Sequence, residues 1–536
     1  MEFDSSATPP GAARGGPGRR TRGGAEPAGF RGQGPGPGAH GRHKRDLTEG
    51  PITRTLVLFS LPVLGGNVLQ SLNGSVNQFW VSHTLGISAI TAIGNSNIVM
   101  MLMLGSIFGI SMAANILVAQ AVGRHDLALV KKVMGTATTF FLGVALLVAA
   151  VGFFTAPHIL AAMGTPDEAR AEAQIYLRIV FLAMPFLALF AFLQMAQRGA
   201  GDSKTPFYFL VLAIVLDVVL NPLLIRGIGP FPRLGIAGSA SSTLIGQGFS
   251  LLCLAFWLYR SKSPLVLRWN ELHLLLPDLE IMRSLVLRGL PMGLQMLIMS
   301  GGAMVMIGFV NSFGALTAAA YTAATQVWTY VQMPAMALGA AISSMAAQNI
   351  GANKWHRVEL IARSGVLTSL AVTGAVTAAI YLMGDLTLYI FLPADSPALP
   401  VAHHINAMIL WSLVLFSISF ALSGIVRSTG AVVAPLVILI ISMWLIRIPF
   451  AMVLIPHMGA DAIWWSFPLG TITSSGLSVL YFRYGRWRET RMLRGESEPV
   501  GFTADAGMGT PAMEIPEEDA EAAEVMEEMR RGAAAT

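Results

Sequence analysis

Asp217 is an acidic residue set deep in an apolar run, Leu216-Asp217-Val218-Val219-Leu220-Asn221-Pro222. Asp217 and Asn221 are four apart and therefore share a helix face. Pro222 has no N–H to give the carbonyl four residues back, which leaves the Val218 oxygen free. A carboxylate, an amide oxygen and a free carbonyl together suit a hard monovalent cation. They equally suit an exchangeable proton, because a carboxyl withdrawn from water takes one up more readily. The structural alternative is a buried ion pair with Arg447, which lies midway along another apolar run, Leu445-Ile446-Arg447-Ile448-Pro449. Arg447 would otherwise be a substrate-repelling charge or a snorkelling side chain.

Other polar side chains fall into helical stripes. Asn67, Gln70, Asn73 and Asn77 follow one another at steps of three, three and four, forming either a wet cavity wall or a set of interhelical hydrogen bonds. Thr243 and Gln247 are again four apart and would complete the cluster around Asp217. Met296 and Met299, with Met100, Met101 and Met103, suit an adaptable pocket, although methionine is also ordinary filler in apolar helices. Gln326, Trp328 and Tyr330 are further cavity candidates.

The elements that must hold these residues are membrane-spanning helices. Only 12% of the 536 residues are charged and 54% are hydrophobic, against roughly a quarter charged in soluble domains. The apolar residues lie in runs of about 20 or more, the length that crosses a ~30 Å hydrocarbon core. Twelve spans are expected near 55–81, 88–118, 133–156, 174–197, 206–226, 234–259, 284–310, 316–348, 364–388, 403–426, 431–456 and 461–482. The single cysteine, Cys253, lies inside a span, so neither an intramolecular disulfide nor a cysteine metal site is expected. No Walker A motif, His/Glu metal spacing or Ser/His/Asp set stands out, so the chain reads as no enzyme and as needing no cofactor. An ion gradient is then the energy source, with H+ or Na+ as the coupling ion.

The two halves of the chain repeat each other. Leu61-Pro62-Val63 recurs as Leu290-Pro291-Met292, Ala119-Gln120-Ala121-Val122-Gly123 as Ala347-Gln348-Asn349-Ile350-Gly351, and Pro206 as Pro435. An even number of spans per unit keeps both units in one orientation. The fold class expected is therefore all-α and integral to the membrane: twelve transmembrane helices in two six-helix lobes related by a pseudo-twofold axis along the membrane normal. The N-lobe would cover 47–259 and the C-lobe 284–485, joined by a cytoplasmic loop at 260–283. Alternate loops are basic: Arg124, Lys131 and Lys132; Arg198 and Lys204; Arg260, Lys262 and Arg268; Lys354, Arg357 and Arg363; Arg427; and Arg483 to Arg494. Arg226 and Arg233 are the exception. By the positive-inside rule both termini are cytoplasmic and the protein sits in the cytoplasmic (inner) membrane. Residues 1–46 read as a disordered basic arm that anchors topology and attracts anionic lipid. The arm lacks interleaved aromatics, so no nucleic-acid partner is expected. Residues 486–536 read as a tail, basic and then acidic.

These landmarks, with the Arg198-Gly-Ala-Gly-Asp-Ser-Lys-Thr-Pro206 loop, resemble the multidrug and toxic-compound extrusion (MATE) transporters over roughly residues 46–485. The resemblance implies cation-coupled efflux of amphipathic, often cationic organic compounds by rocking of two lobes, from a monomer in the lipid bilayer. One bacterial branch of that family has a functional Asp on helix 1, Asn-x-x-x-Asp-Pro on helix 5 and a Thr on helix 6. The matching residues here are Asn77, the reversed pair Asp217 and Asn221, and Thr243. The other branch uses acids in the second lobe, where this chain has Met299 and no acid in span 10. The chain thus resembles the first branch with one carboxylate in place of two, which argues against tight sodium binding. The rivals are a lipid-linked precursor flippase of the same superfamily, which would favour a large basic cavity, and a membrane-embedded enzyme.

Overall fold

A computed structural model describes residues 46–85 and 87–493. The basic arm and the acidic tail, apart from their innermost residues, lie outside the described residues. Twelve long helices follow in chain order: α1 Ile52–Thr84, α2 Ile87–Gly123, α3 Leu127–Ala162, α4 Asp167–Gly199, α5 Lys204–Arg226 and α6 Ile236–Arg260. The second half has α7 Leu279–Asn311, α8 Ala315–Gly351, α9 Trp355–Met383, α10 Leu399–Ser428, α11 Val433–Met458 and α12 Asp461–Tyr484. α11 changes to π-helical winding over Ile441–Arg447.

Ten of these helices are apolar and long enough to cross a membrane by composition alone. The other two, α8 and α12, are 37 and 24 residues long and carry more polar side chains. The helices overrun the expected spans by several residues at most ends, because polar caps outside the apolar run extend them. Asp126 accepts from the Leu129 N–H to start α3, and Asp278 accepts from Glu280 and Ile281 to start α7. His403 and His404 stand in the first turns of α10, where His404 meets Asp461 at 2.9 Å.

Packing repeats between the halves. α1 lies against α5 in its own half and α8 in the other, while α7 lies against α11 and α2. At the α2–α7 crossing four glycines remove the side chains between backbones. A Cβ on Gly109 would lie 2.3 Å from the Gly293 nitrogen, and one on Gly289 would lie 2.7 Å from the Ile110 Cα. Gly105-x-x-x-Gly109 and Gly289-x-x-x-Gly293 are the small-x-x-x-small pattern that lets apolar helices approach in a medium with no hydrophobic drive between them.

The segment between the halves is held to the first half. A 3₁₀ turn at Trp269–Leu275 presents the Leu275 carbonyl to Thr139 Oγ1 at 2.7 Å. Lys131 pairs with Glu271, and Lys132 pairs with Asp278 at 2.6 Å.

Candidate functional site

Asp217 is 3% exposed on α5 and accepts four hydrogen bonds. Asn73 and Asn77 of α1 donate their amides to Oδ2 at 2.9 and 2.8 Å. Ser242 and Thr243 of α6 donate to Oδ1 at 2.6 and 3.1 Å. Four donors match the acceptor capacity of a carboxylate. Asn221, fully buried one turn on, donates to Asn77 Oδ1 at 2.6 Å.

Two acceptors beside this network have no donor. Asn73 Oδ1 and Asn221 Oδ1 are buried and unpartnered. Pro222 inside α5 removes the N–H that would reach the Val218 carbonyl. Unsatisfied buried acceptors are costly and call for an explanation; here they sit around the one carboxylate that four donors already hold.

Of the residues expected from sequence, Asp217, Asn221, Asn77, Asn73 and Thr243 come together. Asn67 and Gln70 lie along α1 with no bond to this network, and Gln247, one turn beyond Thr243, has a buried Oε1 without a partner. Met296 packs where α2 crosses α7, 3.4 Å from where a Gly105 Cβ would stand. Met299 and Tyr330 are about two-fifths exposed, and Gln326 is exposed. Ser242 was not anticipated. The signal for Ser242 was its place beside Thr243, but α6 also carries Ser239, Ser241 and Ser250, and nothing in the sequence singles one out.

The ion pair between Asp217 and Arg447 does not form. Arg447 lies in the second half with its guanidinium 3.3 Å from the Phe467 ring centroid. Arg198 and Arg427, expected as loop charges, end α4 and α10 and are only part-exposed. Arg427 reaches back over Phe420 and towards Gln295.

The recurring Gln-x-x-Gly segments meet at one end of the bundle. Gln120 of α2 donates to the Ser428 carbonyl at 2.7 Å, and Gln348 of α8 donates to the Gly199 carbonyl at 2.7 Å. Ser428 and Gly199 are the last residues of α10 and α4, whose terminal carbonyls have no partner within their own helix. Each glutamine therefore caps a helix of the opposite half. A Cβ on Gly123 would lie 1.9 Å from the Gln348 backbone carbonyl oxygen, and one on Gly351 would lie 2.1 Å from the Gln120 backbone carbonyl oxygen. Gln348 also accepts from the Leu47 N–H at 3.2 Å, and Asn349 donates to the Leu47 carbonyl at 3.0 Å.

This twofold arrangement has a counterpart among known families. The MatE family model matches the chain twice, over 62–223 and 291–453. The chain belongs to the MatE family. It is 34% identical over 445 residues to the probable multidrug resistance protein YoeA of Bacillus subtilis, covering 83% of this chain and 96% of that protein. The probable multidrug resistance protein YpnP of the same organism is 31% identical, with 83% and 98% covered. An outward-facing multidrug resistance MATE transporter shares the fold, with a TM-score of 0.75 at 21% identity over 82% of this chain and 96% of that one. The two model matches start at Pro62 and Pro291, the same landmarks that mark the repeat in the sequence. As a MatE chain it is a multi-pass membrane protein of a multidrug efflux transporter family.

Proposed function

We propose that this MatE chain is a secondary active antiporter in which Asp217 exchanges a proton or sodium ion for an amphipathic, cationic organic compound. The observation that carries the reading is the single carboxylate buried among Asn73, Asn77, Ser242 and Thr243, beside acceptors that lack donors.

Four donors match the ionised form. A proton added to Asp217 turns one carboxyl oxygen into a donor, which displaces one of its present partners and needs an acceptor. Asn73 supplies one by rotating its amide, because its Oδ1 is unpaired. A sodium ion would instead take oxygens from the carboxylate, from the Asn73 and Asn221 amides and from the Val218 carbonyl. Either ion neutralises the one charge, so an organic cation drawn to the carboxylate competes with it. Competition for one charge, with access to either side of the membrane in turn, gives exchange.

By the basic-loop rule the end closed by Gln120 and Gln348 faces the cytoplasm, so this conformer is closed to the cytoplasm. The test is movement of ethidium in proteoliposomes under a proton gradient and a sodium gradient imposed separately. Transport that follows one gradient and disappears in Asp217→Asn supports the reading. Equal transport in Asp217→Asn removes Asp217 from coupling.

A further inference from the structure

The duplicated halves carry opposite charges in equivalent places. Asp217 of α5 lies against α6, bonded to Thr243, with a Gly246 Cβ position 3.7 Å from Asp217 Cβ. Arg447 of α11 lies against α12, stacked on Phe467, with a Gly470 Cβ position 3.3 Å from Arg447 Cδ. Ser242, Thr243 and Gly246 have the same spacing as Ser466, Phe467 and Gly470. Asp217 comes eleven residues after Pro206, and Arg447 twelve after Pro435. The π-helical stretch Ile441–Arg447 accounts for the extra residue, since such a bulge inserts one into a helix.

The partners do not repeat. Asn73 and Asn77 of α1 correspond to Gly302 and Met306 of α7, which carry no charge and no side-chain oxygen. Arg447 consequently has no carboxylate within 4 Å among the described residues, and its Nε is buried without a partner. The residue as a whole is only part-exposed, and Nε is the nitrogen found buried and unpartnered. Burying a cation with no anion is expensive, and π-bulges are frequent at functional sites. A guanidinium lying flat on a ring keeps its in-plane N–H edge free, and that edge matches a carboxylate bidentately. The surroundings are aromatic: Tyr321 lies 6.3 Å and Trp328 5.0 Å from the Phe467 ring, and Tyr321 stacks on Trp464.

We infer that Arg447, stacked on Phe467 beside Tyr321, is a binding site in the second half for the carboxylate of an aromatic organic compound. One charged residue then lies in each half, with opposite sign. The inference does not depend on the role proposed for Asp217.

The test is calorimetric titration of the purified full chain with 2-naphthoate and with its neutral isostere 2-naphthamide. Naphthoate should bind at least tenfold more tightly. Arg447→Gln should abolish that preference, Arg447→Lys should keep part of it, and Asp217→Asn should leave it intact even where ion exchange is lost. Phe467→Leu keeps the charge and removes the stack; it should weaken naphthoate severalfold, so the test stands if Arg447→Gln does not fold. Equal binding of the two compounds by the wild type, a preference unchanged in Arg447→Gln, or naphthoate affinity unchanged in Phe467→Leu overturns the site.

Discussion

Replacing Gln348 by leucine should open the closed end of the bundle, and replacing Gln120 should not, although the two glutamines are repeats of each other. Gln348 uses both ends of its amide, on the Gly199 carbonyl and the Leu47 N–H. Leucine there leaves two buried polar groups unpaired at about 1–3 kcal/mol each. The total of about 2–6 kcal/mol favours separation of the halves by thirtyfold or more, at about 1.4 kcal/mol per factor of ten. Gln120 uses only its N–H on the Ser428 carbonyl, and its Oε1 is buried without a partner. Leucine there strands one carbonyl but removes one stranded oxygen, so the two changes of about 1–3 kcal/mol offset each other. The assay is maleimide labelling of a cysteine at Ser344, which is 1% exposed on α8 and meets Asn115 across the interface, in a Cys253→Ala background. Labelling should accelerate at least thirtyfold in Gln348→Leu and stay within about threefold of the parent in Gln120→Leu, following the same conversion. Equal acceleration in both, or none in Gln348→Leu, would refute the reasoning.

Two further outcomes follow from the packing and the charges. Gly109→Ala places a methyl 2.3 Å from a backbone nitrogen that cannot yield, so it should cost about 1–3 kcal/mol or more and lower the thermal midpoint by several degrees. Gly143→Ala, where nothing lies within 4 Å, is the matched control and should not lower it; equal midpoints would dismiss the crossing as a determinant. The linker pairs make a pH prediction. Arg268 N–H and Lys131 hold Glu271 below its ordinary 4.5, and Lys132 holds Asp278 below its ordinary 3.8. Depressed values mean that the contribution is complete above the ordinary values and is lost as pH falls through the depressed ones. Amide protection over residues 269–278, with the intrinsic pH dependence of exchange divided out, should thus stay constant from pH 7 to 5 and fall only below about pH 4; loosening already by pH 5 would contradict it.

The helices were legible because apolar length and loop charge mark them directly. The polar network around Asp217 was legible in part, because Asp217 is conspicuous in an apolar run and the α1 asparagines share a face at helical spacing. Ser242 was hidden among several α6 serines. The inter-half caps were hidden for a different reason: Gln120 and Gln348 stood out as repeats, but their partners are 308 and 149 residues away in sequence, where spacing carries no information. Arg198 and Arg427 were counted with the loops because they lie at helix ends, and only packing shows that their side chains turn back along the helices. Gln326 and Tyr330 are exposed on α8 because being near Trp328 in sequence does not place them on its face: Trp328 turns inward to bond Asn406 at 2.8 Å.

The central claim is that one carboxylate binds either the coupling ion or faces the organic cation. The most direct measurement adds tetraphenylphosphonium to the purified chain in weak buffer, with radioactive sodium present, and counts the protons or sodium ions released per cation bound. One ion should leave for each tetraphenylphosphonium bound by the wild type, and none in Asp217→Asn. Undiminished binding in both proteins with no ion released would contradict exchange at Asp217.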